Sequence, residues 1–338
     1  MTIFWIGVGI ILFGIALVGI VAVAIRYLTD IRTARKRLDS LGSQVIDTAY
    51  GPVEYARVGE GYPVLVVHGA FGGFDQGLWA ANSGDLTEYQ VISVSRFGYM
   101  RTPLPPGANL NLQADAFAGL LDALGIQQVA VFGVSAGSTS AIRFAARYPE
   151  RVSALILFGP DAPGEGYMTM PPRFFLDKVL RSDFIYWAMV SLFGKKVQAV
   201  VGLAPKVYPL TPEHEAFIKK MMFGSLPFSQ RMDGEIFESY TLVPEFNESV
   251  TAASPYPLSK VETPVLVINT LDDPISLPEN VRALAAQMPH ARLFVVPDGG
   301  HFIFGHEEEV KTEIERFLRM HISEPQKATD IGLRTNLQ

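Results

Sequence analysis

The chain contains no cysteine in its 338 residues. Disulfides, thiolate catalysis and cysteine-based zinc or iron–sulfur sites are therefore excluded, and the redox compartment stays undetermined. Histidine is scarce, with six residues. Basic charge is not in excess: 28 Lys and Arg stand against 34 Asp and Glu, a net charge of −6. That balance argues against a general nucleic-acid surface. Charged residues make up only 18% and hydrophobic residues 49%, so a sizeable buried core is expected. No internal repeat is visible.

Charge is absent altogether from residues 3–25, "IFWIGVGIILFGIALVGIVAVAI". This run is long enough for a bilayer-spanning helix, which takes about 20 residues. A cleaved signal is the rival reading, since Ala22-Val23-Ala24 offers a small-residue cleavage site. However, no Lys or Arg precedes the run, and it exceeds the ~7–15 residues of a signal's apolar core. A buried core helix would rarely be so uniformly apolar. We read residues 1–25 as a retained transmembrane anchor and residues 26–48 as a basic linker. Arg26, Arg32, Arg35, Lys36 and Arg37 all follow the run. The tendency of such clusters to stay inside makes the expected arrangement single-pass, with the large domain cytoplasmic.

From about Val53 the chain alternates strand-like and helix-like segments. Apolar β-branched runs occur at residues 64–67, 91–94, 129–132, 154–158, 265–268 and 293–296. Helical patterns occupy 112–124, 136–148, 278–288 and 307–320. This alternation predicts a mostly parallel sheet covered by helices on both faces. "EYARVGEGYPVLVV" reads as an early hairpin turning at Gly59 and Gly61. The polar tail after His321 is expected to be loosely held.

The alternation lapses between Gly159 and Thr263, where no convincing strand is found. Segments such as "FFLDKVLRSDFIYWAMVSLFG" and "HEAFIKKMMFGSLPF" look helical and are rich in Phe and Met. Most of those side chains must form the insert's own core. The insert leaves from the carboxyl end of a strand, where ligands bind in open α/β sheets. It therefore reads as a cap over a site. The expected units are a core of residues 49–160 and 263–321, a helical cap of 161–262 and a flexible tail of 322–338.

Several loops follow strand ends. The first, "HGAFGGFDQG", lacks both the Gly-Lys-Ser/Thr of a phosphate loop and a G-x-G-x-x-G fingerprint. Its glycines allow amide N–H groups to point into a cleft, with Ala70, or second Phe71, as an oxyanion donor. His68 is expected to support this loop and Asp75 to start a helix. In the second, "SRFGYMRTPLP", Arg96 and Gly98 are read as turn-shaping residues. The third is "GVSAG", a G-x-S-x-G motif between strand and helix, which projects Ser135 from a sharp turn. The N–H of Ala136, at the start of the new helix, would face developing negative charge.

A serine hydroxyl needs a base. Downstream, "VLVINTLDDPISLP" places Asp272 and Asp273 just past one strand, and "VVPDGGHFIF" places His301 just past the next. All three groups then share one sheet edge, with Asp273 orienting His301 and His301 deprotonating Ser135. His290 reads as a turn residue. His306 lacks the carboxylate spacing of a metal site, and neither a metal nor a cofactor is expected.

With "HGAFGG", "SRFGYMRTP", "GVSAG", "LDDPISLP" and "DGGHF" in this order between about Val53 and Met320, the chain resembles α/β-hydrolase-fold enzymes. That resemblance implies Ser135 as nucleophile, Asp273 as acid, His301 as base, and Ala136 and Ala70 as oxyanion donors. In the family the acid usually lies three residues after a Gly, a place that Thr270 holds here. Asp272 therefore stays a rival, and Asp161 a more distant one. The serine elbow argues against the related epoxide hydrolases and haloalkane dehalogenases, which place Asp there. "SRFGYMRT" is also similar to a loop of prolyl iminopeptidases. The expected activity is hydrolysis of a carboxylic ester with an apolar portion, the substrate being a small-molecule ester or a lipid-like one met near the membrane. C–C bond hydrolase, cofactor-free haloperoxidase, acyltransferase and aminopeptidase chemistry, or ligand binding alone, are the alternatives.

Overall fold

The computed structural model describes residues 2–164, 172–203, 205, 207–249 and 257–322. The tail expected from 322 onward lies, beyond Ile322, outside them. Eight strands form one sheet: β1 (Gln44–Thr48), β2 (Gly51–Val58), β3 (Pro63–Val67), β4 (Gln90–Val94), β5 (Val129–Val134), β6 (Val152–Phe158), β7 (Val265–Thr270) and β8 (Ala291–Val296). Their spatial order is β1-β2-β4-β3-β5-β6-β7-β8. β1–β2 and β2–β4 are antiparallel, and every later pairing is parallel.

The expected hairpin between β2 and β3 is not formed, because β4 lies between them. Gly59 and Gly61 turn the chain with φ of +76° and +102°. A side chain at either would meet the carbonyl oxygen of Tyr89 or Glu88 at 2.5 and 2.7 Å. These glycines let the loop press on the segment that enters β4. The hairpin that does form joins β1 and β2.

Among the described residues, ten α-helices accompany the sheet. They are α1 (Thr2–Ser40), α2 (Phe74–Ser83), α3 (Leu110–Ala123), α4 (Gly137–Arg147), α5 (Asp183–Val200), α6 (Pro212–Gly224), α7 (Met232–Phe237), α8 (Val243–Ser249), α9 (Pro278–Ala286) and α10 (Glu307–His321). The period-2 alternation of strand side chains divides the core into two. Leu65, Val67, Val131, Leu155 and Val267 pack with α3, α4 and α9 residues such as Phe117, Phe144 and Leu284. Val64, Val66, Phe132, Ile156 and Ile268 pack with Ala80, Ala81, Ile314 and Phe317 of α2 and α10. Both faces are thus covered, as strands apolar on both sides require.

Between β6 and β7 the described chain is helical. α7 continues into α8 through a π-helical turn, Glu238–Leu242. The segment from 26 onward is not the linker expected from its charge. α1 runs unbroken for 39 residues to Ser40. Ile31, Ala34 and Leu38 on it are buried against the domain. Its apolar part is long and hydrophobic enough to cross a membrane and is not buried within the molecule.

Candidate active site

β5 ends in a turn so tight that Ser135 takes φ +49°, a sparsely populated conformation for a residue with a side chain. The flanking glycines are sterically obliged. A Cβ at Gly133 would lie 2.8 Å from Ala141 Cβ, and one at Gly137 2.3 Å from the His68 carbonyl oxygen. α4 can therefore start directly under the loop that follows β3. Ser135 stays half-buried, with its hydroxyl at the carboxyl edge of the sheet.

His301 reaches that hydroxyl from the loop after β8. Its Nε2 lies 3.0 Å from Ser135 Oγ and its Nδ1 2.9 Å from Asp273 Oδ2. The second oxygen of Asp273 accepts the N–H groups of Ile275 and Ser276 at 2.8 and 2.9 Å, which fixes the carboxylate. A carboxylate at Nδ1 calls for the proton there, leaving Nε2 free to accept from Ser135. Burial pulls the imidazole pKa down. The charge and hydrogen bond of Asp273, with the charge of Asp161, outweigh this and raise it.

The rival acids are placed elsewhere. Asp272 Oδ1 accepts the Gly300 N–H at 2.8 Å and so braces the histidine loop from below. The Asp161 backbone N–H donates to Ser138 Oγ at 3.0 Å and to the Ser135 carbonyl oxygen at 3.3 Å. Asp273 alone of the three has a hydrogen bond to His301 among the described residues. His306 pairs with Asp298 and Glu309, and His290 sits in the turn before β8.

The N–H groups of Ala70 and Ala136 take no partner among the described residues. Phe71, the second choice as oxyanion donor, is corrected by the structure. Its N–H already donates to Glu235 Oε2 at 3.0 Å. His68 supports the loop as expected from its position. Its Nδ1 donates to the Gly69 carbonyl at 2.8 Å and its Nε2 accepts the Arg96 N–H at 3.2 Å. Burial, reinforced by the Arg96 charge, holds its pKa well below the ordinary value, so it is neutral.

The family model described as "alpha/beta hydrolase fold" matches residues 62–308. The chain belongs to the alpha/beta hydrolase family. It is 30% identical over 69% of its length to a poly(3-hydroxyalkanoate) depolymerase of Ectopseudomonas oleovorans, covering 75% of that protein. It is 29% identical over 79% of its length to a 2-hydroxy-6-oxononadienedioate/2-hydroxy-6-oxononatrienedioate hydrolase of Burkholderia vietnamiensis, covering 91% of it. The match spans only 37% and 44% of the length of two further hydrolases. Among solved structures, an alpha/beta hydrolase fold protein from Nakamurella multipartita superposes with TM-score 0.64 at 28% identity. That superposition covers 82% of this chain and 99% of the other.

The chain carries a second polar cluster that no local sequence motif announces. Arg96, expected only to shape a turn, is fully buried and forms a bidentate pair with Glu238. It also donates to the Gly69 carbonyl at 3.1 Å. Tyr99 donates to Glu235 and Glu238. Two cap carboxylates and two residues from the loop after β4 thus converge on the backbone of residues 69–71. Burial first, and then the Glu238 charge, push the Glu235 pKa up to about 7 against the Phe71 N–H and Arg96.

A third junction joins the cap, α2 and α1. Asp75, a helix-start residue as expected, also accepts from Arg231 of the cap at 3.0 Å on each oxygen and from Arg37 of α1 at 2.8 Å. Arg231 additionally donates to the Gly72 carbonyl. The i, i+3 spacing of Glu235 and Glu238 was the signal available, since on a helix it puts both carboxylates on one face.

Proposed function

We propose that this hydrolase cleaves a carboxylic ester at Ser135 while anchored in a membrane by α1. The observation that carries the reading is the hydrogen-bonded line Ser135–His301–Asp273 beside two uncommitted amides. In this mechanism Ser135 Oγ attacks the ester carbonyl as His301 Nε2 takes its proton. Asp273 holds the imidazole in place and stabilises the imidazolium. The N–H groups of Ala70 and Ala136 receive the oxyanion. Collapse breaks the carbon–oxygen bond, and the alcohol leaves with the proton from His301. Water, deprotonated by the same histidine, then releases the acid and restores Ser135.

An apolar portion of the substrate fits the side chains around His301. Phe302 lies 5.9 Å from its ring, and Phe217 of the cap and Trp79 of α2 close around Phe302. On the oxyanion side Phe71 stacks on Phe228, which stacks on Tyr186. The uncharged run and the basic residues after it support an anchor with the domain on the cytoplasmic side.

The similarity to the Burkholderia hydrolase favours a second reading, carbon–carbon cleavage of a 2-hydroxy-6-oxo acid by the same serine. Turnover of the full-length protein in lipid vesicles separates the two. Esters of increasing acyl length should be hydrolysed, and Ser135→Ala should abolish the activity. Cleavage of the 2-hydroxy-6-oxo acid without ester turnover would reject the ester reading.

A further inference from the structure

If α1 spans the bilayer, as proposed above, the structure also specifies how the domain sits on the membrane. α1 passes from its apolar run into the domain contacts as one helix, so the two parts share an axis. Its C-terminal portion is fixed in place. Ile31, Ala34 and Leu38 are buried, Arg37 donates to Asp75 and the Gly224 carbonyl, and the Trp187 indole donates to Asp30 at 2.7 Å. Each of these partners except Asp30 lies in the domain, so the domain is held rigidly to the helix.

Depth along the helix follows from its geometry. At 1.5 Å per residue the uncharged run 3–25 is about 34 Å long, enough to fill a hydrocarbon core of about 30 Å. Tyr27 then sits about 3 Å further along, in the headgroup layer. The Phe184 ring of α5 lies 5.2 Å from the Tyr27 ring and the Trp187 ring 5.5 Å from it. A typical helix tilt of about 20° changes the depth of a ring so close by only about 2 Å. Phe184 therefore lies within about 5 Å of the depth of Tyr27.

The cap surface here has the character of a membrane interface. Phe184 is 45% exposed although it is aromatic. Aromatic rings concentrate at the membrane–water boundary. Arg26, Arg32, Arg35 and Lys36 of α1 add positive charge that favours anionic headgroups.

We propose that the cap docks on the bilayer surface through Phe184, beside Tyr27 and Trp187. The cap, and with it the sheet edge that carries Ser135, then faces the lipid. The substrate class is narrowed accordingly to an ester resident in the bilayer.

The absence of cysteine makes the test direct. Full-length Val18→Cys, Phe184→Cys and Gln127→Cys are labelled with an environment-sensitive fluorophore in phosphatidylcholine–phosphatidylglycerol vesicles. Gln127 is exposed just ahead of β5, at the end of the sheet remote from the cap. Chain-borne nitroxide lipids should quench the label at 18, headgroup nitroxides the label at 184, and neither the label at 127. Quenching at 18 without quenching at 184 overturns the docking and leaves the anchor standing. Absence of quenching at 18 overturns the anchor, and the docking with it. Independently, Phe184→Asp should lower turnover of a vesicle-borne long-chain ester about tenfold, the effect of losing roughly one buried apolar side chain. Turnover of a dissolved short-chain ester should be unchanged, and an equal loss on both substrates would overturn the proposal.

Discussion

Asp75→Asn probes the charge junction that ties α1, the cap and the start of α2 together. The Asp75 carboxylate is buried between Arg231 and Arg37. Burial alone would raise its pKa, but the two guanidinium groups win and hold it at about 2, against an ordinary 3.8. Nearly two pH units at ~1.4 kcal/mol each correspond to about 2 kcal/mol of stability at neutral pH. Arg37 is 37% exposed at its side chain, so solvent screens its share and Arg231 supplies most of the effect. Because the folded pKa lies below the unfolded one, this stability is present in full above the unfolded value. It is lost as pH falls through the folded value. Urea denaturation of the full-length protein in detergent micelles, followed by tryptophan fluorescence, measures it. Asp75→Asn should be about 2 kcal/mol less stable than wild type at neutral pH, with the gap closing toward a pH of about 2. A neutral substitution at neutral pH, or a gap that does not change with pH, would refute the reasoning.

Gly137→Ala forces a methyl group onto the His68 and Val67 carbonyl oxygens. A displacement of about 1 Å between the elbow and the oxyanion loop should lower kcat about 100-fold, and steady-state kinetics on an ester checks this. His301 must be neutral to accept the serine proton, and its pKa is raised above 6.5. The acid limb of kcat/KM should therefore have its midpoint above 6.5, and Asp273→Asn should move any residual limb downward. Glu235 has the opposite linkage to Asp75, since its folded pKa of about 7 exceeds the ordinary 4.5. Its contribution is complete below the unfolded value and is lost as pH rises toward 7. Thermal midpoints should show wild type losing ground to Glu235→Gln across that interval, and a constant difference would contradict the assignment.

Strand and helix positions were legible because burial on both faces writes continuous apolar runs into a parallel sheet. The runs at 91–94, 129–132 and 265–268 each fall inside a strand, and the patterns at 278–288 and 307–320 match α9 and α10 to within a turn. Pairing was less legible. Gly59 and Gly61 looked like a hairpin turn, yet strand neighbours are decided by the sheet order, which puts β4 between β2 and β3. Charge likewise misled at residues 26–48. Arg37 belongs to a helix and points at a buried aspartate rather than at solvent.

Ser135, Asp273 and His301 were readable because each lies within a few residues of the carboxyl end of its own strand, and strand ends meet at one edge. The Glu235–Phe71 contact was not readable, since it joins residues 164 apart in sequence through a cap whose docking no local pattern encodes. Arg96 illustrates the same limit. Its glycine-flanked loop suggested a turn, while its burial depends on Glu238 arriving from the cap.

The most direct test of the chemistry is covalent capture of Ser135. The full-length protein in vesicles is treated with a fluorophosphonate and its peptides are analysed by mass spectrometry. A phosphonyl adduct on the peptide bearing Ser135 is expected, formed rapidly in wild type and far more slowly in His301→Gln. No adduct at Ser135 in folded protein, or one formed equally fast without His301, would contradict a nucleophile activated by that histidine.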